Sequence, residues 1–440
     1  MKKEKRGSVD GSHLKMTLHR SDTIPDDVGE GGVNDIEISL PTRSRRGTIT
    51  LSAFSVRPSV LQGVEKSMGV ADDFKSWSFD IFEFSRGVAG QKPLQHAMYL
   101  LLLKYEIPKE LFISEENLVA CVQAIEEGYL DCPYHNKIHA ADVIVTLYFF
   151  LSQGRLAEEL DLIDIFAALF AAAIHDFAHP GVNNAFEAMM VSPLAITYNN
   201  RSILENMSTA HGFKIMTAEG SDVMSNLPPE SQKQVRDLLI ELVLSTDMSS
   251  HNALVGRFQT RMTGAGGLTF ENRADVVLIL EMALHTADVS NPAKPLPIML
   301  KWTQRVMDEF FAQGDRERSN GWPITNTMDR ETTSTVKCQI GFINFVVKPL
   351  FGVWCGFIDH ADVCIEELDK NLKYWQAENE KPGTYKFPAT EAERAMRVSS
   401  KVLLASAKWK RLGASSKAMT RGEVRSITLC YFSLFLVHLI

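Results

Sequence analysis

The chain has 440 residues, of which 45% are hydrophobic, 23% are charged and 9% are aromatic. This composition is ordinary for a soluble globular protein, and it excludes wholesale disorder and a fibrous repeat. The formal net charge of -8 argues against a nucleic-acid binder that relies on bulk positive charge, so we expect no nucleic-acid partner. Basic residues are in excess at the two ends of the chain, whereas the long segment between them is acidic.

Residues 1–65 are predicted to form a disordered tail, because no helical or alternating pattern of apolar residues persists there. Two short basic clusters in this tail precede a hydroxyl, at Ser8 and at Thr48. Such clusters are typical of sites for a basophilic kinase. A solvated tail that carries arginines by chance explains them equally well.

From about residue 70, apolar residues recur at spacings of three and four, and short breaks rich in Pro, Gly, Asn and Ser separate the periodic segments. The clearest segments are 93–104, 116–129, 138–152, 159–175, 233–246 and 273–287. This periodicity predicts an all-α fold, a compact multi-helix bundle, in one domain over residues 70–410.

Residues 411–440 form a second tail, which is basic first and hydrophobic at its end. A helix made of the last fourteen residues, 427–440, spans about 21 Å, which is less than a hydrocarbon core of ~30 Å. One interpretation is a tail that dips into a membrane surface, with its basic run facing anionic lipid. A helix or strand packed on the domain and an artefact of the gene model are the other interpretations.

The six cysteines are sparse and none forms a CxxC pair, which favours free thiols in a reducing compartment. The N-terminus is charged and no apolar stretch follows it, so a secretory signal peptide is not expected. We therefore expect a cytoplasmic protein, with membrane association only through its C-terminus.

Four of the twelve histidines lie in two short motifs. The first motif, YHNKIHAAD, places His135 and His139 four residues apart, so that a helix brings them to the same side. The second motif, HDFAHPGVNN, gives His175 and His179 the same spacing and sets Asp176 beside the first of them. Two histidines and a carboxylate at this spacing are ligands that suit a divalent metal.

A third motif, HTADVSNP, ends an apolar helix and contributes Asp288. A buried pocket that is rich in histidine and carboxylate needs cations to be stable, and a metal centre meets that need. A lone histidine on an apolar helix, such as His96 or His211, is more simply a core residue.

In chain order, H-N-x-x-H-A-x-D followed by H-D-x-x-H-P-G-x-x-N resembles the class I 3′,5′-cyclic-nucleotide phosphodiesterases. Further segments resemble that family and occur in the family's order, namely YNNRSILEN, LSTDM, EFFAQGD and CQIGF. The resemblance implies a helical bundle of the phosphodiesterase and HD superfamily type. It also implies hydrolysis of a cyclic nucleotide to the 5′-monophosphate, which terminates cyclic-nucleotide signalling.

The resemblance further implies two divalent metal ions, Zn²⁺ in a first site and Mg²⁺ or Mn²⁺ in a second. It assigns His139, His175, Asp176 and Asp288 to the first metal, and Asp176 also to the second. In the family mechanism, a hydroxide that bridges the metals attacks phosphorus, and His135 would protonate the leaving oxygen as the general acid. The residues expected to support these groups and their waters are His179, Glu205, Thr246, Asp247 and, as the carboxylate that raises the pKa of His135, Glu309.

By the same resemblance, Gln339 would pair with the purine edge, while Phe342 and Val306 would press on the two faces of the base. The other residues expected to line the pocket are Tyr134, Asn291, Trp302 and Phe310. Asn291 resembles the cAMP-preferring members of the family more than the cGMP-specific ones. We therefore expect cAMP to be favoured over cGMP, with dual use as the main rival.

The chain departs from the family where Met207 and Ser208 replace the usual histidine pair, and His211 follows three or four residues late. This departure keeps an inactive relative, acting as a cyclic-nucleotide or protein binding module, as an alternative. An HD-type phosphohydrolase that acts on another nucleotide is a further alternative. The oligomeric state is left open.

Overall fold

The computed structural model describes residues 68–153 and 156–387. The α-helices in these residues are α1 (Met68–Asp73), α2 (Ile81–Gly87), α3 (Pro93–Lys104), α4 (Ile107–Glu110), α5 (Glu115–Glu127), α6 (Lys137–Ser152), α7 (Leu156–Glu159), α8 (Leu162–Ile174), α9 (Asn184–Met189), α10 (Pro193–Thr197), α11 (Ile203–Met216), α12 (Pro229–Leu244), α13 (His251–Thr263), α14 (Arg273–Asp288), α15 (Leu296–Ser319), α16 (Thr335–Phe342), α17 (Lys348–Trp354) and α18 (Asp362–Asn379). Short 3₁₀ turns lie at Ala89–Gln91, Met248–Ser250 and Asn291–Ala293, and a π-helical turn lies at Ile343–Val347.

The described part of the chain contains helices and no strand, which confirms the predicted all-α fold. The predicted helix over 93–104 coincides with α3, and the other periodic segments also fall on helices. The kinase-site hypothesis at Ser8 and Thr48 and the membrane hypothesis for residues 427–440 concern positions outside the described residues.

The centre of the bundle is α8, whose sequence LIDIFAALFAAAI is apolar on all sides and almost entirely buried. A helix of this kind has to be covered all round, and α6 and α12 pack against it. At its C-terminal end α8 meets α11 so closely that a Cβ on Gly212 would lie 2.3 Å from Cδ1 of Ile174. Close packing therefore holds the end of α8, where the second histidine motif begins.

Asparagines of the two histidine motifs begin the helices that follow them. The Asn136 side chain accepts hydrogen bonds from the backbone N–H groups of Ile138 and His139, at 2.8 and 3.4 Å, and starts α6. Asn183 caps α9 in the same manner, accepting from the N–H of Phe186 at 2.9 Å. These caps place the metal-motif residues at helix ends rather than in helix interiors.

A π-helical turn joins α16 to α17, so the two helices run on as one element with one wide turn between them. On the near side of this turn Gln339 and Phe342 face the cavity described below, as does Val346 within it. On the far side Leu350 and Trp354 are buried in the core of the bundle. The wide turn thus connects a wall of the cavity to an anchor in the core.

Candidate active site

The structure brings the four predicted metal ligands together, and we call His139, His175, Asp176 and Asp288 the metal cluster. His139 lies near the start of α6, His175 and Asp176 follow α8, and Asp288 ends α14. One ligand atom from each lies within 4.8 Å of the others. The separation is 3.0 Å between His139 Nε2 and Asp288 Oδ1, and 3.1 Å between His175 Nε2 and Asp176 Oδ2. Three parts of the chain that are distant in sequence therefore aim their ligand atoms at one point.

The chemistry of these donors fits a divalent cation. The Nδ1 of His175 is 2.9 Å from the carbonyl oxygen of Ala172, and donation there leaves the Nε2 lone pair for the cluster. Burial lowers the pKa of His139 and His175, but the two aspartates outweigh burial and the net direction is upward. Positive charge is therefore favoured at this point. Nitrogen and oxygen donors around a site that favours positive charge suit zinc and similar metals.

His135, His179 and Glu309 form a second group, which we call the proton cluster. The Nδ1 of His135 hydrogen-bonds to Oε1 of Glu309, so the predicted contact between these two residues is present. The other carboxylate oxygen of Glu309 accepts the backbone N–H groups of Tyr134 and His135, at 2.9 and 3.1 Å. The His135 ring stacks on His179 with 3.8 Å between the ring centroids. Glu309, from α15, thereby holds both the ring and the backbone of the first motif.

The members of the proton cluster have opposite pKa shifts. Burial lowers the pKa of His135, but the charges of Glu309 and Asp176 overcome it and raise the pKa to about 9. Burial raises the pKa of Glu309, but the neighbouring His135 brings it down to about 2. Burial and the charge on His135 lower the pKa of His179 to about 3. At neutral pH, His135 is therefore cationic, Glu309 anionic and His179 neutral, which separates the roles of the two stacked rings.

The two clusters adjoin each other, since His135 Nε2 lies 4.0 Å from Oδ2 of Asp176. Glu309 binds the Nδ1 of His135, so the proton on the Nε2 of His135 is not engaged by Glu309. A group that binds at the metal cluster therefore meets a proton donor directly beside it.

Polar residues predicted to support the centre line the same cavity. Both carboxylate oxygens of Glu205 accept from the Asn184 side-chain amide, at 3.0 and 3.2 Å. Burial raises the pKa of Glu205 to about 7, and the nearby Asp247 adds to the rise. Asp247 accepts from the Ser202 hydroxyl at 2.7 Å, and the Thr246 hydroxyl donates to the carbonyl oxygen of Val243, near the end of α12, at 2.8 Å. These bonds fix the side chains around a polar floor beside the metal cluster.

The cavity has a volume of about 900 Å³ and is open to solvent. The predicted base-binding residues all line it, namely Tyr134, Asn291, Trp302, Val306, Phe310, Gln339 and Phe342. Gln339 is buried, and its side-chain amide makes no hydrogen bond with the described residues. Trp302 is fully buried and lies behind Tyr134, with 5.5 Å between the centroids of the two rings.

Ser208, which stands where the family usually has a histidine, binds the loop of the second motif. Its hydroxyl donates to the carbonyl oxygen of Phe177 at 3.0 Å and is fully buried. Phe177 belongs to the loop that carries the predicted metal ligands His175 and Asp176. His211 stays outside the cavity lining, bonded to a backbone carbonyl within α11. Ser208 therefore links α11 to the second motif through this hydrogen bond.

Sequence reasoning gave no role to Asp142 and Lys294, which lie directly behind the cavity. Asp142 accepts from the Asn291 amide at 3.3 Å, and the Lys294 ammonium lies 3.6 Å from its other oxygen. A signal for Asp142 was available, because it follows His139 by three residues within the first motif and so shares its helix face. Lys294 had no comparable signal.

The all-α bundle thus brings the two histidine motifs and Asp288 to one cavity. Residues 134–368 match the family model for 3′5′-cyclic nucleotide phosphodiesterase. Since this match spans more than half of the sequence, the chain belongs to that family.

Named relatives agree with this assignment. The 3′,5′-cyclic-AMP phosphodiesterase 4C of Mus musculus is 35% identical over 349 residues, which are 78% of this chain and 50% of that protein. The protein of the same name from Rattus norvegicus is 35% identical over 77% of this chain and 63% of its own length. The 3′,5′-cyclic-AMP phosphodiesterase, isoform F, of Drosophila melanogaster is 34% identical over 69% of this chain and 47% of its own length. The chain thus spans about half to just under two thirds of the relatives it matches.

A solved structure has the same fold. The crystal structure of the phosphodiesterase domain of the RhoPDE fusion protein from the choanoflagellate Salpingoeca rosetta superposes with a TM-score of 0.65 at 30% identity. The similarity covers 71% of this chain and 97% of that domain. Nearly all of that phosphodiesterase domain therefore has a counterpart here.

Proposed function

We propose that the chain hydrolyses 3′,5′-cyclic nucleotides to 5′-monophosphates. The observation that carries the proposal is the cationic His135 beside the metal cluster, 4.0 Å from Asp176, in a cavity large enough for a nucleotide. Membership of the phosphodiesterase family and the names of the relatives support it.

The phosphate end of the substrate belongs at the metal cluster. His139, His175, Asp176 and Asp288 would hold Zn²⁺, and Asp176 would share a second ion, Mg²⁺ or Mn²⁺. When bound, such ions supply Lewis acidity, which acidifies water and neutralises phosphate charge. The acidic body of the protein does not repel the anionic substrate at this point, because the cluster favours positive charge.

His135 supplies the proton that the reaction requires. As the oxygen of water bonds to phosphorus, the bond from phosphorus to the 3′-oxygen breaks and that oxygen must be protonated. The Nδ1 of His135 is engaged by Glu309, so the proton leaves from Nε2, which faces the metal cluster. Glu309 also binds two backbone N–H groups, and the imidazole is thereby held in one orientation before substrate arrives.

The base end of the substrate belongs between Phe342 and Val306, two apolar walls of the cavity. The Gln339 amide is buried and unpaired among the described residues, so it can donate to and accept from a purine edge. We propose cAMP as the preferred nucleotide, because the relatives are named for cyclic AMP and Asn291 lines the same wall.

The test is hydrolysis by the purified full chain. Production of AMP from cAMP and of GMP from cGMP is followed by chromatography, with and without a chelator, and with zinc and magnesium added back. We expect hydrolysis that favours cAMP, loss of activity on chelation, and recovery with metal. Binding of nucleotide without hydrolysis in saturating metal would identify an inactive relative, and hydrolysis of another nucleotide only would identify an HD-type phosphohydrolase.

A further inference from the structure

We propose that Glu317 is a positioning residue for the substrate, because it fixes one wall of the cavity to the helix that holds the second histidine motif. The wall is the cavity loop, which we define as residues 320–334, between α15 and α16. Glu317 lies outside the cavity lining and belongs to neither the metal cluster nor the proton cluster. The inference rests on the proposed hydrolysis of cyclic nucleotides, and it adds a residue that the family resemblance did not assign.

The part of the cavity loop that reaches the cavity is a tight turn from Thr325 to Met328. The N–H of Met328 donates to the carbonyl oxygen of Thr325 at 3.0 Å, and Thr327 and Met328 line the cavity. Thr327 has a φ of +73°, in the left-handed region that disfavours a β-branched residue. A turn that is strained at this point keeps its shape only where its surroundings hold it.

Glu317 holds the first residue of this turn. Its Oε2 accepts the backbone N–H of Thr325 at 2.6 Å, and its Oε1 accepts the Thr325 hydroxyl at 2.7 Å. Glu317 is 4% exposed, and burial raises the pKa of its carboxyl, but hydrogen bonds from Gln313 and Thr325 outweigh burial and lower that pKa. The carboxylate is therefore ionised at neutral pH, and it accepts hydrogen bonds without donating any.

Gln313 connects the same carboxylate to the second histidine motif. Its amide nitrogen donates to Oε1 of Glu317 at 2.8 Å and to Oδ1 of Asn183 at 3.2 Å. Its amide oxygen accepts the backbone N–H of Asn183 at 2.9 Å, so both hydrogens and the oxygen of this buried amide are engaged. A continuous chain of hydrogen bonds therefore runs from Asn183, near the end of the second motif, to Thr325 of the cavity loop.

Packing holds the cavity loop at two further points. A Cβ on Gly314 would lie 1.9 Å from the carbonyl oxygen of Met328, so only glycine lets the loop backbone rest on α15 there. The Trp322 ring packs against Phe186 of α9, with 5.6 Å between the ring centroids. These contacts set how near the loop lies, whereas the directional hydrogen bonds of Glu317 set which turn it makes.

The position of this turn matters for binding rather than for the chemical step. Thr327 and Met328 line the cavity, whereas no residue of the cavity loop belongs to the metal cluster or the proton cluster. A wall residue contacts the bound substrate and the transition state alike, so displacing it weakens both interactions equally. Release of the turn is therefore expected to raise KM and to leave kcat nearly unchanged.

The principal variant is Glu317→Gln, which keeps the shape of the side chain. The glutamine nitrogen takes the place of either Oε1 or Oε2, and in both orientations it faces an N–H group, from Gln313 or from Thr325. At least one bond of the chain is therefore lost. Kinetic constants for cAMP are measured with the purified full chain in saturating metal. KM should rise about tenfold, with kcat within about twofold of the wild-type value.

Two substitutions at Thr325 test the same contact from the side of the loop. Thr325→Val keeps the β-branched shape but removes the hydroxyl donor, and it should raise KM about fivefold. Thr325→Ser keeps the hydroxyl, and its KM should stay within about twofold of wild type. Hydrogen–deuterium exchange of the backbone amides in residues 320–334 should quicken in Glu317→Gln and Thr325→Val but not in Thr325→Ser.

Glu281→Gln is the matched control. Glu281 is also 4% exposed and has a partner, Arg257 at 2.8 Å, but it lies outside the cavity lining and the cavity loop. The control should leave KM and the exchange of residues 320–334 unchanged. Thermal unfolding verifies that each variant is folded, and elemental analysis verifies that metal content stays at the wild-type level. If Glu317→Gln does not fold, the two substitutions at Thr325 decide the question.

The failures are distinguishable. A wild-type chain that hydrolyses no cyclic nucleotide overturns the proposed function and this inference together. An unchanged KM in folded Glu317→Gln or Thr325→Val overturns the inference alone, even where exchange quickens, because Glu317 would then stabilise the loop without positioning the substrate. A fall in kcat as large as the rise in KM, or an equal rise in KM in Glu281→Gln or Thr325→Ser, would also overturn it.

Discussion

The metal cluster and the proton cluster both consist of histidines and carboxylates and lie side by side, but they differ in how their charge is balanced. In the metal cluster, Asp176 and Asp288 face two imidazoles, and the carboxylates favour added positive charge. In the proton cluster, one carboxylate is already matched by the cationic His135. The metal cluster therefore needs an added cation to balance its charge. The charge of the proton cluster is already balanced by its own residues.

The contrast arises from the backbone around each group. Glu309 accepts two backbone N–H groups as well as the His135 ring, so its lone pairs are occupied by the protein. Among the described residues, no backbone N–H donates to Asp288, whose near neighbours are the imidazoles of His139 and His175. Residue type alone therefore does not assign a metal ligand or a proton donor. The hydrogen-bond partners of each carboxylate make that assignment.

The largest expected effect is the loss of a metal ligand. Asp288→Ala removes a carboxylate from the metal cluster, and we expect both metal content and kcat/KM to fall, the latter on the order of a thousandfold or more. Metal is measured by elemental analysis of the purified protein and activity by product formation. The control is Asp308→Ala, which removes an exposed carboxylate from α15. Full metal content in Asp288→Ala would contradict the assignment.

A similarly large loss, with a different signature, is expected in the proton cluster. His135→Ala should lower kcat by about 10²–10⁴-fold, because the leaving oxygen loses its proton donor. Metal content should stay at the wild-type level, since His135 is not part of the metal cluster. If metal were lost together with activity, the separation of the two clusters would be wrong.

A third prediction concerns pH. In the proposed mechanism His135 acts in its protonated form, and its pKa is raised to about 9, so activity should be retained at neutral pH and lost as pH rises through that value. In Glu309→Gln the carboxylate that helps raise the pKa is gone. The alkaline limb of the kcat/KM profile should then move to lower pH by about 1–3 units. A limb that stays in place would show that Glu309 does not control this proton.

The smallest expected effect tests the serine that replaces a family histidine. Ser208→Ala removes one buried hydrogen bond to the loop of the metal ligands, which is worth about 1 kcal/mol. Zinc affinity, measured by competition with a chromophoric chelator, should fall about fivefold. Ser202→Ala offers a hydroxyl control bonded to Asp247 instead. Equal zinc affinity in wild type and Ser208→Ala would leave the loop held by packing alone.

The sequence predicted the features that local spacing encodes. Histidines four residues apart, with Asn136 after His135 and Asp176 after His175, predict ligands on one side of a helix; the structure brings His139 and His175 together, but at helix ends rather than within one helix. The all-α fold followed from apolar periodicity in the same way. The histidine spacing and the apolar periodicity both depend on residues that are one or two helical turns apart in the sequence.

What escaped prediction depends on contacts between distant segments. The pairing of Asp142 with Lys294 joins α6 to the turn before α15, and no spacing rule connects them. The hydrogen bond of Ser208 arises because α11 crosses the loop that contains Phe177. The family resemblance named the expected roles but could not show which contacts the departing residues make.

The π-helical turn at Ile343–Val347 has a consequence for insertions and deletions in this chain. A π-helical turn holds one residue more than the α-helical turn it replaces, so removing a single residue there would restore a regular helix. Because the wide turn takes up its extra residue within a single turn, this deletion would leave Gln339 and Phe342 in nearly the same rotational position relative to the core anchor at Trp354. A residue lost from the regular helix α17 has no such compensation, and it would rotate that wall of the cavity by about 100° relative to Trp354 while both histidine motifs remained unaltered.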